Sequence, residues 1–212
     1  MRDVDKPPRI ARLPVNDAGY PVPWFVATIK GVPDFRVIGP GKLRAAIDER
    51  RCWVCGERMK GPTTAFLIGP MCAVNRNTAE PGCHRECAVY SAQACPFLVN
   101  PRKRRRQGNK PETVDPAGYM IERNPGVALV WITRSWEQYD DGRGGTLFRL
   151  TGSPVRLLWF AEGRPATRDE VLHSIESGLP LLADMAVQEG AAAVVELDRL
   201  TRDALTLVEA ST

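Results

Sequence analysis

Four residues in the first half of the chain have the types and the spacing of a metal-binding set. Cys52 and Cys55 stand three positions apart in the run CWVCG, and His84 and Cys87 stand three positions apart in CHREC. Two thiolates three apart on a tight turn can point at one ion, and residues three apart share one face of a helix. The set Cys52, Cys55, His84 and Cys87 therefore predicts a single structural Zn²⁺, because four protein ligands close the coordination sphere.

Cys83 is an alternative to His84 as the third ligand. Cys83 and Cys87 lie four positions apart and could also share a helical face. The three-residue spacing usual for such sites favours His84. Buried packing as small apolar residues is the expected role of Cys72 and Cys95.

A dense basic run follows this set. It comprises Arg102, Lys103, Arg104, Arg105 and Arg106, with Lys110 close behind. Such a run can neutralise several phosphates and give salt-dependent binding to nucleic acid. A solvated linker is the alternative interpretation. Residues 1–110 carry 20 Lys and Arg against 9 Asp and Glu, whereas residues 111–212 carry 9 against 16. The first half is thus strongly basic and the second half acidic.

The sequence contains few residues in arrangements typical of enzyme active sites. The chain has two histidines, and the metal set uses one of them. His173 has the surroundings of a surface or core histidine, and Glu137, Asp140 and Asp141 belong to a glycine-rich turn. No phosphate-binding glycine loop is present. We therefore expect a non-catalytic protein, with a hydrolase or nuclease as the alternative.

The elements around these residues predict an α+β fold. A cysteine knuckle, a hairpin and a helix carrying two ligands form a treble-clef-like zinc module, preceded by an N-terminal β-hairpin and followed by a small sheet covered by helices. The predicted organisation is a flexible arm (1–18), the zinc-binding module (19–100), a basic linker (101–118) and an α+β subdomain with C-terminal helices (119–212).

Hydrophobic periodicity and turn residues locate the individual elements. We expect a hairpin with strands at 24–30 and 34–38 that turns at Gly31-Val32-Pro33, and another hairpin across 63–74. The aromatic residues Trp24, Phe25, Phe35 and Trp53 are expected to form a core around the zinc. In the second half, strands are expected at 127–133, 146–150 and 155–160. Thr167 and Glu170 form a capping box, and Pro180 suits the first turn of a further helix.

The composition indicates where the protein works. No apolar run approaches the roughly 18 residues that a membrane span needs. The N-terminus MRDVDKPPRI lacks the apolar core of a secretory signal. We expect a cytoplasmic protein without membrane contact, in which cysteines bind metal and do not form disulfides.

Several runs along the chain are distinctive: GYPVPWF, PDFRVI, CWVCGE, IGPMCAVNR, CHRECAVY and CPFL, followed later by ERNPGVALVWIT, FAEGRPATRDEV and SIESGLPLL. These runs resemble a family of uncharacterised zinc-binding proteins of bacteriophages, prophages and high-GC bacterial genomes. The resemblance covers about residues 19–100 and 120–185. It implies His84 as a ligand, because the position of Cys83 is often not a cysteine in that family. The family has no known function, so the resemblance implies no activity.

These observations together predict a phage-type accessory protein that binds nucleic acid through its basic half, in the host cytoplasm. The alternative is an adaptor or inhibitor that binds a host or phage protein and uses zinc only as a structural element. The last helix, at residues 191–209, is the segment expected to join a second copy or a partner.

Overall fold

A computed structural model of the chain describes residues 4–104, Ala117 and residues 124–211. It shows a mixed α+β protein. The helices are α1 (Pro8–Ala11), α2 (Lys42–Asp48), α3 (Pro70–Asn75), α4 (Arg85–Ala94), α5 (Arg168–Glu189) and α6 (Ala191–Ser211). The strands are β1 (Val26–Ile29), β2 (Val32–Ile38), β3 (Thr64–Ile68), β4 (Asn77–Thr78), β5 (Val127–Thr133), β6 (Trp136–Asp140), β7 (Thr146–Leu150), β8 (Arg156–Ala161) and β9 (Arg164–Pro165). No helix in the described part of the chain has both the length and the apolar character needed to cross a bilayer.

A four-stranded antiparallel sheet with the order β3-β5-β8-β9 lies at the centre. Its middle strand β5 has the sequence VALVWIT and is buried at all seven positions. Because successive side chains of a strand point to opposite faces, β5 divides its residues between two cores. Leu129 and Trp131 pack with α3, α5 and α6, whereas Val130 and Ile132 pack with α4 and the cysteines. The sheet therefore lies between a helical layer and the layer that holds the candidate ligands.

Strand β3 joins the two halves of the sequence. It lies within residues 19–100, yet it pairs antiparallel with β5, with Phe66 opposite Trp131. In the same way β4 pairs with β7 in a three-stranded sheet of order β4-β7-β6. Strands that precede the predicted linker at 101–118 thus pair with strands that follow it, so the two halves of the sequence share sheets.

The prediction of a hairpin across 63–74 is wrong. Thr64–Ile68 forms β3, but Gly69 and Pro70 then start helix α3, with Pro70 in its first turn. Proline suits that position because its fixed φ is already helical and its missing N–H would have no partner there. Helix α3 buries Met71, Ala73 and Val74 against the helical layer.

The first hairpin is confirmed, but its turn lies one residue earlier than predicted. Lys30 and Gly31 form a two-residue turn with φ of 50° and 82°, and Ile29 pairs with Val32. Two positive φ values match the right-handed twist of a tight hairpin, so Val32 and Pro33 belong to β2. Phe35 on this strand is 45% exposed, which contradicts its predicted place in the core.

The C-terminal helices are longer than predicted. The capping box is confirmed: the Thr167 side chain accepts a hydrogen bond from the Glu170 N–H, and the Glu170 carboxylate accepts one from the Thr167 N–H. Pro180 does not begin a new helix but lies inside α5, which continues to Glu189. Gly190 alone separates α5 from α6.

The beginning of the chain also differs from the predicted loose arm. Helix α1 brings Ile10, which is 1% exposed, into the core on the cysteine side of the sheet. Arg9 pairs with Glu57 at 2.8 Å and with Glu86 at 3.0 Å. Residues 8–13 therefore form part of the layer around the candidate ligands.

Candidate metal centre

The first pair of candidate ligands, Cys52 and Cys55, lies on a tight turn. The Cys52 N–H donates to the Glu57 carbonyl at 2.8 Å, and the Gly56 N–H donates to the Cys52 carbonyl at 2.8 Å. Gly56 has a φ of +75°, and a β-carbon at this position would lie 2.5 Å from the Trp24 ring. Glycine is required here for both its backbone conformation and its lack of a side chain. The run CWVCG thus folds into a compact turn with both thiols directed inward.

The second pair of candidate ligands, His84 and Cys87, lies where the chain enters α4. His84 is the residue that precedes the first helical position, and Cys87 is in the first turn. Cys83 exchanges two backbone hydrogen bonds with Ala65 of β3, at 2.7 and 3.0 Å. The Trp53 N–H donates to the Gly82 carbonyl at 3.1 Å, which ties this entry to the cysteine turn. Both ligand pairs are therefore anchored through backbone contacts, one of them directly to the central sheet.

The structure brings Cys52, Cys55, His84 and Cys87 together. Their ligand atoms all lie within 4.8 Å of one another. Cys55 Sγ is 3.3 Å from His84 Nδ1, and the His84 N–H points at Cys52 Sγ from 3.3 Å. Tetrahedral metal sites with about 2.3 Å metal–sulfur bonds place neighbouring ligand atoms about 3.8 Å apart. The four residues thus could hold a metal ion with little rearrangement.

The protonation of this cluster depends on Cys52. Hydrogen bonds from Cys55, Cys83 and Cys87 lower the pKa of Cys52, which is fully buried. The hydrogen bond with Cys52 raises the pKa of Cys55 to about 11 and also raises the pKa of Cys87. The interaction with the Cys52 sulfur raises the pKa of His84 as well. A bound divalent cation would replace these shared protons, because coordinating thiols are deprotonated.

Cys83 lies next to the cluster without belonging to it. It is buried, and its sulfur is 3.9 Å from the Pro81 carbonyl. Its backbone pairs with Ala65 of β3, so Cys83 belongs to the edge of the sheet and His84 to the start of α4. Cys72 and Cys95 are half-buried cysteines elsewhere in the chain.

The predicted basic run is only partly within the described residues. Arg102, Lys103 and Arg104 are exposed, and no carboxylate among the described residues forms an ion pair with them. Arg105, Arg106 and Lys110 lie outside the described residues.

Asn124, a residue that the sequence did not single out, anchors the beginning of the basic run. Its amide nitrogen donates to the Phe97 carbonyl and to the Asn100 carbonyl at 3.1 Å. Its backbone N–H donates to the Lys103 carbonyl at 3.2 Å. Asn124 is buried, so these bonds are shielded from water. The sequence signal was weak: an asparagine in Asn-Pro-Gly is typical of any turn.

The residues considered for catalysis have structural surroundings. His173 is exposed on α5. The Asp140 carboxylate accepts from the Gly142 N–H at 2.7 Å, and the Asp141 carboxylate accepts from the Arg143 and Gly145 N–H groups at 2.8 Å. These bonds lower the pKa of Asp141 and stabilise the turn between β6 and β7.

The fold and the site define a mixed α+β protein with a Cys₃His cluster beside its central sheet. Comparisons with protein-family models, with curated proteins and with solved structures find no match to this chain.

Proposed function

We propose that this chain is a non-catalytic accessory protein of phage type that binds nucleic acid through its basic first half and uses one Zn²⁺ as a structural element. Zinc is the metal expected for three thiolates and one imidazole, since Cys₃His sets are typical of tetrahedral structural zinc. The turn carrying two cysteines and the start of α4, where His84 precedes the helix and Cys87 lies in its first turn, support a treble-clef-like arrangement of these ligands. All four positions are supplied by the protein, which favours a structural role.

A contrast between cations that have a carboxylate partner among the described residues and cations that have none there carries the proposal for nucleic acid. Three arginines near the cluster are engaged with carboxylates: Arg9 and Arg12 with Glu57, and Arg51 with Glu49. Arg102, Lys103 and Arg104 instead stand exposed and consecutive. Cations without a carboxylate partner can bind phosphate with no internal ion pair to break.

The anchoring of this run adds to the argument. Hydrogen bonds from Asn124 hold the backbone at Asn100 and Lys103 against the start of β5. Cations on an anchored backbone lose less conformational entropy when they bind phosphate than cations on a free chain. The basic run thus extends from a defined place on the protein.

Fluorescence anisotropy with short duplex DNA, single-stranded DNA and RNA tests the proposal at several salt concentrations. The test variant changes Arg102, Lys103 and Arg104 to Gln. The matched control changes three exposed arginines of the acidic half, Arg134, Arg143 and Arg156, to Gln, which alters the net charge equally.

We expect affinity for at least one of these nucleic acids to fall steeply with salt. The test variant should reduce the slope of log K against log[salt] by up to about 3, at roughly 0.7–0.9 per lost phosphate contact. The control should change the slope by less than about 1. Equal losses in both triple variants would assign the binding to net charge alone, and no binding at low salt would reject the function.

A further inference from the structure

Helices α5 and α6 extend beyond the core on which they pack. At 22 and 21 residues each is about 30 Å long. The beginning of α5 is buried through Val171, Ile175 and Gly178, and the end of α6 through Ala204 and Val208. Between residues 179 and 203 only Ala186 is fully buried, while Leu179, Leu182, Leu197 and Leu200 are partly buried and pack against the core on the inner side of the helix pair. We call this segment, the end of α5 with the beginning of α6, the hairpin tip.

The hairpin tip exposes apolar side chains. Val187 is 68% exposed, Val195 is 70% exposed and Val194 is 41% exposed. Gly190 reverses the chain between them, with its N–H donating to the Ala186 carbonyl at 3.0 Å. The three valines therefore lie at the same end of the antiparallel helix pair. Ala183 and Pro180 are also exposed and continue the face of Val187 at helical spacing.

Carboxylates flank these valines. Asp184, Glu189 and Asp198 form no ion pair with the described residues. Glu196 and Asp203 are already neutralised by Arg199, at 2.6 and 2.8 Å. The tip thus combines an exposed apolar surface with three acidic groups that have no cationic partner in the described residues.

We infer that the hairpin tip binds an amphipathic helix of a partner protein whose apolar side is flanked by lysine or arginine. Val187, Val194 and Val195 would contact the apolar side of that helix, and Asp184, Glu189 and Asp198 would pair with its cations. Helices commonly dock in this way on an apolar surface between two helices. The inference does not depend on nucleic-acid binding, since it concerns the opposite, acidic half of the sequence.

Charge complementarity favours a basic partner over a second copy of this chain. Two hairpin tips placed face to face would bring Asp184, Glu189 and Asp198 near the same carboxylates of the other copy. Juxtaposed like charges oppose association, whereas opposite charges steer it and fix its register. The tip offers roughly three helical turns of each helix, so the interface is small and we expect affinity in the micromolar range.

A synthetic helix tests the inference with the full-length protein. The probe is a fluorescently labelled peptide of about 18 residues with a Leu/Ala stripe and flanking lysines. The control peptide carries glutamate in place of each lysine. The test variant is Val187→Asn with Val195→Asn, which keeps every charge. The matched variant is Val32→Asn with Val155→Asn, which changes two exposed valines elsewhere.

We expect the lysine peptide to bind the unchanged protein and the matched variant with the same affinity. It should bind the test variant at least 10-fold more weakly. The glutamate peptide should bind none of the three proteins. Circular dichroism checks that both variants keep their helix content. Equal binding to the test variant would show attraction by charge alone and overturn the inference, as would no binding at several hundred micromolar. Sedimentation showing a dimer that the test variant abolishes would assign the tip to a second copy and overturn it too.

Discussion

Gly82 packs directly against Thr64, leaving no room for a side chain between them. A β-carbon on Gly82 would lie 2.1 Å from Thr64 Cγ2. Thr64 is buried at the start of β3, and Gly82 is two residues before the candidate ligand His84. The Gly82 carbonyl also accepts the Trp53 N–H from the cysteine turn. This single contact therefore joins the central sheet to both pairs of candidate ligands.

Replacing Gly82 by alanine should destabilise the protein. Thr64 is short and buried, so it cannot move aside and the backbone must shift, which typically costs about 1–3 kcal/mol. Gly61→Ala is the matched control, because a β-carbon there meets nothing within 4 Å. Urea unfolding at fixed pH measures both changes. An unfolding free energy for Gly82→Ala equal to that of Gly61→Ala would show that the contact is not restrictive.

His84→Ala and Cys83→Ala should differ in their metal content. His84 contributes a ligand atom to the cluster, whereas Cys83 lies outside it. We expect Cys83→Ala to retain one zinc per chain and His84→Ala to lose most of it during dialysis against a mild chelator. Elemental analysis of the purified proteins gives the stoichiometry. If His84→Ala retained its zinc and Cys83→Ala lost it, Cys83 and not His84 would be the ligand.

Metal removal should also lower stability, because the binding free energy of a structural metal is part of the folding free energy. In the same dialysis series, the melting temperature should follow the zinc content of each variant. A Cys52→Ser protein with unchanged melting behaviour would contradict a structural role for the ion.

Glu170 should contribute a pH-dependent part of the stability of α5. Hydrogen bonds from the Arg164 guanidinium, followed by the Thr167 N–H, lower the pKa of Glu170 from 4.5 to about 2. A carboxyl with a depressed pKa in the folded state stabilises it above the unfolded pKa, and this stabilisation disappears as the pH falls toward 2. Because Glu170 is partly exposed to solvent, we expect at most about 1 kcal/mol.

The comparison of Glu170→Gln with the unchanged protein measures this contribution. At pH 7 the variant should melt at a lower temperature, and the difference should shrink between about pH 4.5 and pH 2. Glu176→Gln, at an exposed position of the same helix, serves as the control and should show little difference at any pH. A constant difference for Glu170→Gln across this range would argue against a role for its charge.

Local spacing predicted what depends on neighbours in sequence. The Cys52, Cys55, His84 and Cys87 cluster followed from two three-residue spacings, and the Thr167–Glu170 capping box followed from another. Strand β5 was evident from its unbroken apolar run. In each case the feature depends on residues within one turn or one strand, so no knowledge of the rest of the fold was needed.

Features that depend on distant residues were not predicted. The edge of β3 is paired by β5, about sixty positions later, and no local pattern identifies that partner. Strand β6 has the mostly polar sequence WEQYD, and most of its side chains are exposed. It therefore lacks the run or alternation of apolar residues by which a strand is predicted. Pro180 was expected to start a helix because proline disfavours helix interiors, but the packing of α5 and α6 against each other overrides that preference.

The pairing of β3 with β5 has a consequence for the order in which the protein is made. All four candidate ligands are present once residue 87 has left the ribosome, whereas β5 is complete only at Thr133. A nascent chain, or a fragment ending near residue 100, would therefore carry a complete ligand set while β3 still lacked its β5 partner. Such an unpaired apolar strand edge is a site of aggregation. A truncated first half is thus expected to take up metal and yet remain poorly soluble until the second half covers it.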